Sequence, residues 1–468
     1  MTPRGILWGR TCVALLTVLG VGVVMAGRAS GAADDVPAAP DLPRVLSLDE
    51  ALRIWRAHGL DLLLAEAAVK NSEGAVLIAG AVANPVATAT TARAFTYSWT
   101  KASDVDCNSF GAVCTPWGYS FGLTDSAAIA DALSGKRDLR VKVARNALAA
   151  AKMSRVDATR TIGFQVKSAY VQVAQAQLAY RFAKEVALSQ AATLRKFQDR
   201  FKAGAISGGD LQRIEVTKLE ADQAVDSAQS MLRQARAALA FLLGVRGDVP
   251  EFDVDAKALD YAPPANFRGV TPLTLVHTAF DRRPDLLSSA YARASADGQL
   301  QLVRRLKFPD ITLGLNYQWG GAGGWSVDLA IVGPMLTLSL SAPLPVFYQL
   351  QGEELQAEAQ RETAMLQQAK NTAQVANDVA TGYAALDAAT KLVERMEGPR
   401  RSDGGLLESA KGAFEVVAAQ YDKGAANLTD YLDALRTYIA TKNEYIGDLA
   451  NYWTALYQLD AATGRDLQ

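Results

Sequence analysis

Histidine is almost missing from this chain: His58 and His277 are the only two in 468 residues, and they stand far apart. Neither a histidine-based metal site nor a nucleophile served by a histidine base can be assembled from them. Both read as structural or solvent-exposed side chains. No glycine-rich phosphate loop occurs either. The sequence offers no catalytic centre and calls for no cofactor and no metal, so it reads as a non-enzyme. An excess of one charge is also lacking. Lys and Arg number 48 against 49 Asp and Glu. No basic stripe stands out, which argues against nucleic acid as the main partner.

Cysteine is scarce: Cys12, Cys107 and Cys114. Arg4 and Arg10 flank the start of an apolar stretch from Thr11 to Ala26, and Ser30-Gly31-Ala32 supplies a small-residue cleavage site. Residues 1–32 are therefore expected to be a secretory signal peptide. A transmembrane anchor is the other reading, but the run is short for a span and passes directly into small residues. Cys12 leaves with the signal, and no cysteine follows the cleavage site to take a lipid. Cys107 and Cys114 then remain close together in one loop, and in an exported protein such a pair is expected to form a disulfide.

What the chain has is a repeat of itself. Gly204 matches Gly424, Asp210 matches Asp430 and Gly244 matches Gly464, each 220 residues apart. Ser47 matches Thr271, Asp61 matches Asp285 and Pro85 matches Pro309, each 224 apart. So small a drift over so long a span implies an internal duplication. The division that follows is an extended segment at 33–46, a first repeat at 47–246, a linker at 247–270 and a second repeat at 271–465.

Each repeat opens with a helix. Ser47-Leu48-Asp49-Glu50 is a capping box, and that helix is expected to run to about Ala83, before Asn84-Pro85. Thr271-Pro272 starts its counterpart, which ends before Phe308-Pro309. A hairpin follows in each, at about 86–124 and about 311–342. Ile311 to Trp319, Trp117 to Thr124 and Leu336 to Ser341 alternate apolar with small or polar residues, the signature of half-buried strands. The strand after Pro85 is poorer. Phe95, Tyr97 and Trp99 share a face with Arg93, which either snorkels to an interface or marks a bulge.

The pattern then turns helical. Proline is absent from about Asp125 to Lys202, where Ile162, Val166, Ala169, Val173, Ala176 and Tyr180 step by four and three. The rhythm resumes from Leu211 to Leu242 and from Tyr431 to Leu459, as in helices packed in a coiled-coil manner. A helix of ~80 residues would rise ~120 Å, beyond any globular domain. An insertion at about 397–410, rich in glycine and holding Pro399, interrupts the second repeat.

Strands with an aromatic-rich face in an exported chain suggest an outer-membrane barrel. Four strands cannot close one, and open edges in lipid leave backbone groups unpaired. The chain must therefore oligomerise. Hairpin, long helix, Gly turn and long helix, all repeated, resembles the TolC family of outer-membrane efflux proteins over the whole mature chain. Arg282-Arg283-Pro284-Asp285-Leu286 and Phe308-Pro309-Asp310-Ile311-Thr312-Leu313-Gly314 resemble the family's second-repeat motifs. Ala342-Pro343-Leu344-Pro345-Val346-Phe347 with Gln351-Gly352-Glu353 is similar to the strand-to-helix junction of its heavy-metal (RND-type) branch. A lipidation cysteine, which many members of that branch carry, is missing.

The resemblance implies a mixed α+β membrane protein: a homotrimer with a twelve-stranded outer-membrane β-barrel continued by a long periplasmic α-helical barrel. It implies an exit duct fed by a periplasmic adaptor and an inner-membrane pump of RND, ABC or MFS type. Gly204, Ala205, Ile206, Gly424, Ala425 and Ala426 are then the adaptor-contact tips. Asp210 and Asp430 start the returning helices, where a carboxylate meets the positive end of the helix dipole. Glu415 and Asp422 are candidates for a pore constriction, where a symmetric ring would raise local cation density. Solvated helix-surface charge is the plainer reading of both. Two alternatives stay open: a type I protein-secretion duct, and a periplasmic coiled-coil adaptor or structural protein.

Overall fold

In the computed structural model the described residues are 37–93, 117–125, 128–255, 257–264, 269–320, 334–398 and 404–464. The segment expected to be a signal, the Cys107–Cys114 pair, the Phe95–Trp99 stretch and the centre of the 397–410 insertion lie outside them. In chain order the elements are β1 (Val45–Leu46), α1 (Leu48–His58), α2 (Leu60–Gly80), β2 (Val86–Arg93), β3 (Trp117–Thr124), α3 (Ala128–Ser134), α4 (Lys136–Lys202) and α5 (Gly208–Leu242). After β4 (Asp253–Val254) the second repeat supplies α6 (Pro272–Arg282), α7 (Pro284–Leu306), β5 (Thr312–Gly320), β6 (Met335–Ser341), α8 (Gln351–Glu397), α9 (Leu406–Asp422) and α10 (Leu428–Thr463).

The helix expected from 47 to about 83 is two helices. It breaks at Gly59 and stops at Gly80. Its counterpart breaks at Arg283, 224 residues on. In the second repeat the cause is Pro284, which removes an N–H and drives Arg283 out of the helical region to φ −72°, ψ 123°. In the first, the Trp55 ring lies so close that a Cβ on residue 59 would sit 2.5 Å from its Cδ1. The helix expected from about Asp125 is also divided, by Gly135 in the left-handed region. What remains, α4, has 67 residues and rises about 100 Å.

That helix organises the chain. Its first half packs against α2 and α7, and its second half against α5 and α10, while α8 lies against α7 and α10. The main core gathers where α1, α6 and the short β1–β4 pair cover the long helices. Leu46, Trp55, Val166, Val173, Leu239 and Tyr452 are fully or almost fully buried there. Gln177 of α4 holds β4 from the side, donating to the Val254 carbonyl at 3.1 Å and accepting its N–H at 2.9 Å. The Tyr170 hydroxyl donates to the Leu46 carbonyl at 2.9 Å. Both polar groups are buried and paired, as a core position requires.

The four long strands form one antiparallel sheet in the order β2-β3-β5-β6. Pairing runs without a bulge from Val86 opposite Thr124 to Arg93 opposite Trp117, so the register is unshifted at Arg93. Its guanidinium lies 5.2 Å from the Trp117 ring centroid. One face carries Trp117, Tyr119, Phe121 and Leu123 beside Trp319, Tyr317 and Leu315, then Leu336, Leu338 and Leu340. All of these are solvent-exposed; Phe121 and Leu340 keep 56% and 72% of their surface. The opposite face is mostly Thr, Ser, Asn, Gln and Gly, with Val86, Ala92 and Met335 among them. Among the described residues β2 and β6 each keep one edge unpaired. Buried Lys136, at the start of α4, donates to the Phe308 carbonyl at 2.7 Å and to Asp310 at 2.6 Å. It thereby seats the second hairpin on the first repeat's long helix.

Candidate functional site: the two helical tips

The long helices carry the chain away from the sheet to two tight reversals. Both are built the same way. Gly204 has φ +72° and Gly424 φ +77°, a conformation that costs a residue with a Cβ but not glycine. The Ala205 N–H donates to the Arg200 carbonyl and the Gly204 N–H to that of Phe201, each at 2.9 Å. Ala425 to Gln420 and Gly424 to Tyr421 repeat the pattern at 2.8 and 3.0 Å. These are paired bonds that satisfy the last carbonyls of a helix. Gly204, Ala205, Gly424 and Ala425 are exposed, and Ile206 and Ala426 partly so.

The returning helices are capped by residues the sequence reading left aside. Ser207 Oγ accepts the Asp210 N–H at 3.1 Å, and Asn427 Oδ1 accepts the Asp430 N–H at 2.8 Å. Asp210 and Asp430 thus stand at the third helical position, within the first turn, where the dipole favours a carboxylate. Ser207 also donates to the Asp210 carboxylate at 2.8 Å. The spacing Ser-x-x-Asp was readable as a capping box.

The two reversals are clasped together. Phe197 of α4 stacks on Tyr421 of α9 with ring planes parallel and centroids 5.5 Å apart. Tyr421 also packs on Tyr431, and the buried Ile214, Leu428, Leu432 and Leu435 complete a small core at this end. Arg200 lies over the Tyr421 ring, 5.6 Å from its centroid, and its Nη2 is 3.3 Å from Asp422. Lys196 stands 3.9 Å from the other oxygen of Asp422. Burial pushes the Tyr421 hydroxyl above its ordinary range, against the pull of Arg200. Glu415 is slightly more exposed than Asp422 and, among the described residues, pairs with Lys411 alone, one turn back, at 3.7 Å. The two constriction candidates differ in their partners: Asp422 faces two cations of α4 and Glu415 one of its own helix, and both side chains stay exposed. Phe197, Lys196 and Arg200 lie more than 200 residues from their partners, and no local pattern marks them.

Comparison with known proteins agrees with this architecture. The chain matches the family described as Outer membrane efflux protein over residues 275–465, most of the second repeat. It is 26% identical over 338 residues to the cobalt-zinc-cadmium resistance protein CzcC of Cupriavidus metallidurans, covering 71% of this chain and 75% of that protein. It is 25% identical over 406 residues to the pyoverdine export outer membrane protein OpmQ of Pseudomonas aeruginosa, covering 85% and 80%. Among solved structures, the outer membrane channel CmeC of Campylobacter jejuni superposes with a TM-score of 0.70 at 16% identity, covering 89% of this chain and 85% of that one. With one aromatic sheet face, a duplicated pair of helical hairpins and these relatives, the chain resembles the outer membrane efflux proteins, which are outer-membrane channels with a helical part in the periplasm.

Proposed function

We propose that three copies of this chain close a twelve-stranded barrel and form the exit duct of a tripartite efflux system. The observation that carries this reading is the sheet. Its apolar face is exposed strand after strand, and its two outer strands end in open edges. Unpaired backbone groups in lipid cost several kcal/mol each. Pairing β6 of one copy with β2 of the next removes them all. The helical layer supports the same assembly. Leu77 and Ile78 of α2 and Leu355 and Leu366 of α8, on its two flanks, are largely exposed and suit contact between copies. The test is direct: the protein extracted in mild detergent should run as a trimer that heat converts to monomer. A monomer under all mild conditions refutes the assembly.

The clasped tips serve as the docking surface for a periplasmic adaptor, which delivers solutes from an inner-membrane pump. The two tips are not equal, since Ile206 packs into the tip core where its counterpart is the smaller Ala426. Site-directed crosslinking from Ala205 and from Ala425 should therefore capture different adaptor positions. Identical patterns refute the inequivalence. The relatives' names point to cobalt, zinc and cadmium in one case and pyoverdine in the other, and small-solute efflux is the reading they share. Glu415 and Asp422 line the constriction in this proposal, Asp422 as part of its clasp with Arg200 and Lys196.

A further inference from the structure

The packing of the long helices contains a gap. The main core runs down α4, α5 and α10 through Val173, Leu232 and Leu449, and a second core begins at Phe197, Ile214 and Leu435 near the tips. Between them α4, α5 and α10 line a cavity of about 280 Å³ that is open to solvent on one side. It is open because the facing positions are small: Ala183, Ala221, Ala224 and Ala440. Its middle lies some 14 residues before the Gly204 turn, or about 20 Å along the helix, so it is separate from the tips.

Gln190 of α4 lines this cavity. The residue is 1% exposed, and neither its Oε1 nor its Nε2 has a hydrogen-bond partner. A buried amide left unpaired on both atoms is destabilising. Thr217 cannot answer as a donor, because its hydroxyl already donates to the Arg213 carbonyl at 3.0 Å. Phe182, Val186, Leu435 and Ile439 make most of the rest of the wall apolar, while the exposed Glu220, Arg436 and Asn443 bring opposite charges and an amide to its rim from α5 and α10.

We propose that the cavity is a binding site for a small, uncharged, mostly apolar organic molecule carrying one amide-like group. Its donor and acceptor, side by side, pair with the Gln190 amide, and its apolar body fills the space that the alanines leave. The proposal rests on the packing of one chain and does not depend on the duct reading.

Benzamide is a suitable probe, with toluene as the same ring without the amide. Saturation-transfer NMR on the full protein in nanodiscs, corrected with empty nanodiscs, should show saturable benzamide binding with a dissociation constant on the order of millimolar. Toluene should bind at least about tenfold more weakly. Gln190→Leu should reverse that preference, and Ala221→Phe, which fills the space, should abolish binding of both. Equal benzamide binding by the native protein and both variants overturns the proposal. So does a density map at saturating benzamide in which only water stands beside Gln190. If Gln190→Leu does not fold, Ala221→Phe and the map still decide. Failure here leaves the assembly and tip proposals standing, since neither substitution touches the sheet or the tips.

Discussion

Replacing Arg283 by Met should be among the most damaging single changes outside the sheet. The guanidinium is 3% exposed and marks the break between α6 and α7. It forms a two-bond fork on Asp285, at 2.7 and 3.1 Å, and a third bond at 2.8 Å on Asp378 of α8. Burial opposes its charge, and the hydrogen bonds to the two aspartates more than offset that, holding it above its ordinary value. Removing one partner of a buried ionic group costs about 3–5 kcal/mol, because the others are left uncompensated. Here Asp285 and Asp378 keep 18% and 31% of their side-chain surface. Partial hydration places the expected loss at the lower end, about 3 kcal/mol per chain. Arg283→Lys should recover only part of it, since an ammonium cannot make the fork. Arg283→Met combined with Asp378→Asn should be less destabilised than the sum of the single changes. Glu50→Ala is the control. Its partner Arg53 is 76% exposed, and such pairs are worth under about 1 kcal/mol. Denaturant titration followed by far-UV circular dichroism on the reconstituted protein measures these variants and Asp378→Asn alone, five in all. If Arg283→Met and Glu50→Ala fall within about 0.5 kcal/mol of each other, the claim that this buried network holds α6, α7 and α8 together is refuted.

Other outcomes follow from the same geometry. Asp448 is 8% exposed, one of its oxygens has no hydrogen-bond partner, and burial, followed by Glu444, pushes its carboxyl above the usual range. An acid with a raised folded pKa loses stability as pH climbs from its unfolded value through its folded one. Asp448→Asn should therefore raise thermal stability at pH 7 and lose that advantage below about pH 4; no gain at neutral pH contradicts the reasoning. Phe197→Ala removes the stack on Tyr421 and should cost about 3 kcal/mol locally. Hydrogen exchange should then quicken around 197–214 and 414–435 and leave the main core unchanged. Neutralising Glu415 and Asp422 together should change single-channel conductance or its block by cations in planar bilayers. Asp422→Asn alone should do so less, because Arg200 and Lys196 already offset its charge; unchanged recordings from the double variant remove both residues from the constriction.

The sequence made the duplication and the sheet legible for physical reasons. Alternation from Ile311 to Trp319 leaves a strand few alternatives, and the matched glycines at 204 and 424 announce reversals that need positive φ. The breaks at Gly59 and Gly135 were not legible, because helices tolerate an isolated glycine and only the packing of Trp55 shows why the first chain segment turns. Arg283-Pro284 was legible in principle and was read instead as part of one helix. The tip clasp lay beyond local reading altogether. Its stack and ion pairs join residues of different repeats, and nothing near Arg200 in the chain announces Asp422.

The breaks and the late glycines have a joint consequence for the history of the chain. Gly244 lies against His58, so that a Cβ there would stand 2.2 Å from the His58 carbonyl oxygen, and Gly464 lies against Arg282 at 3.2 Å. His58 and Arg282 are counterparts, as are the two glycines. Each repeat therefore brings the end of its last helix back onto the end of its own first. In the proposed trimer six such units stand around one axis. A half-length ancestor could have built that ring as a hexamer of identical parts. Fusion of two units then freed alternate positions to diverge, as Ile206 and Ala426 have.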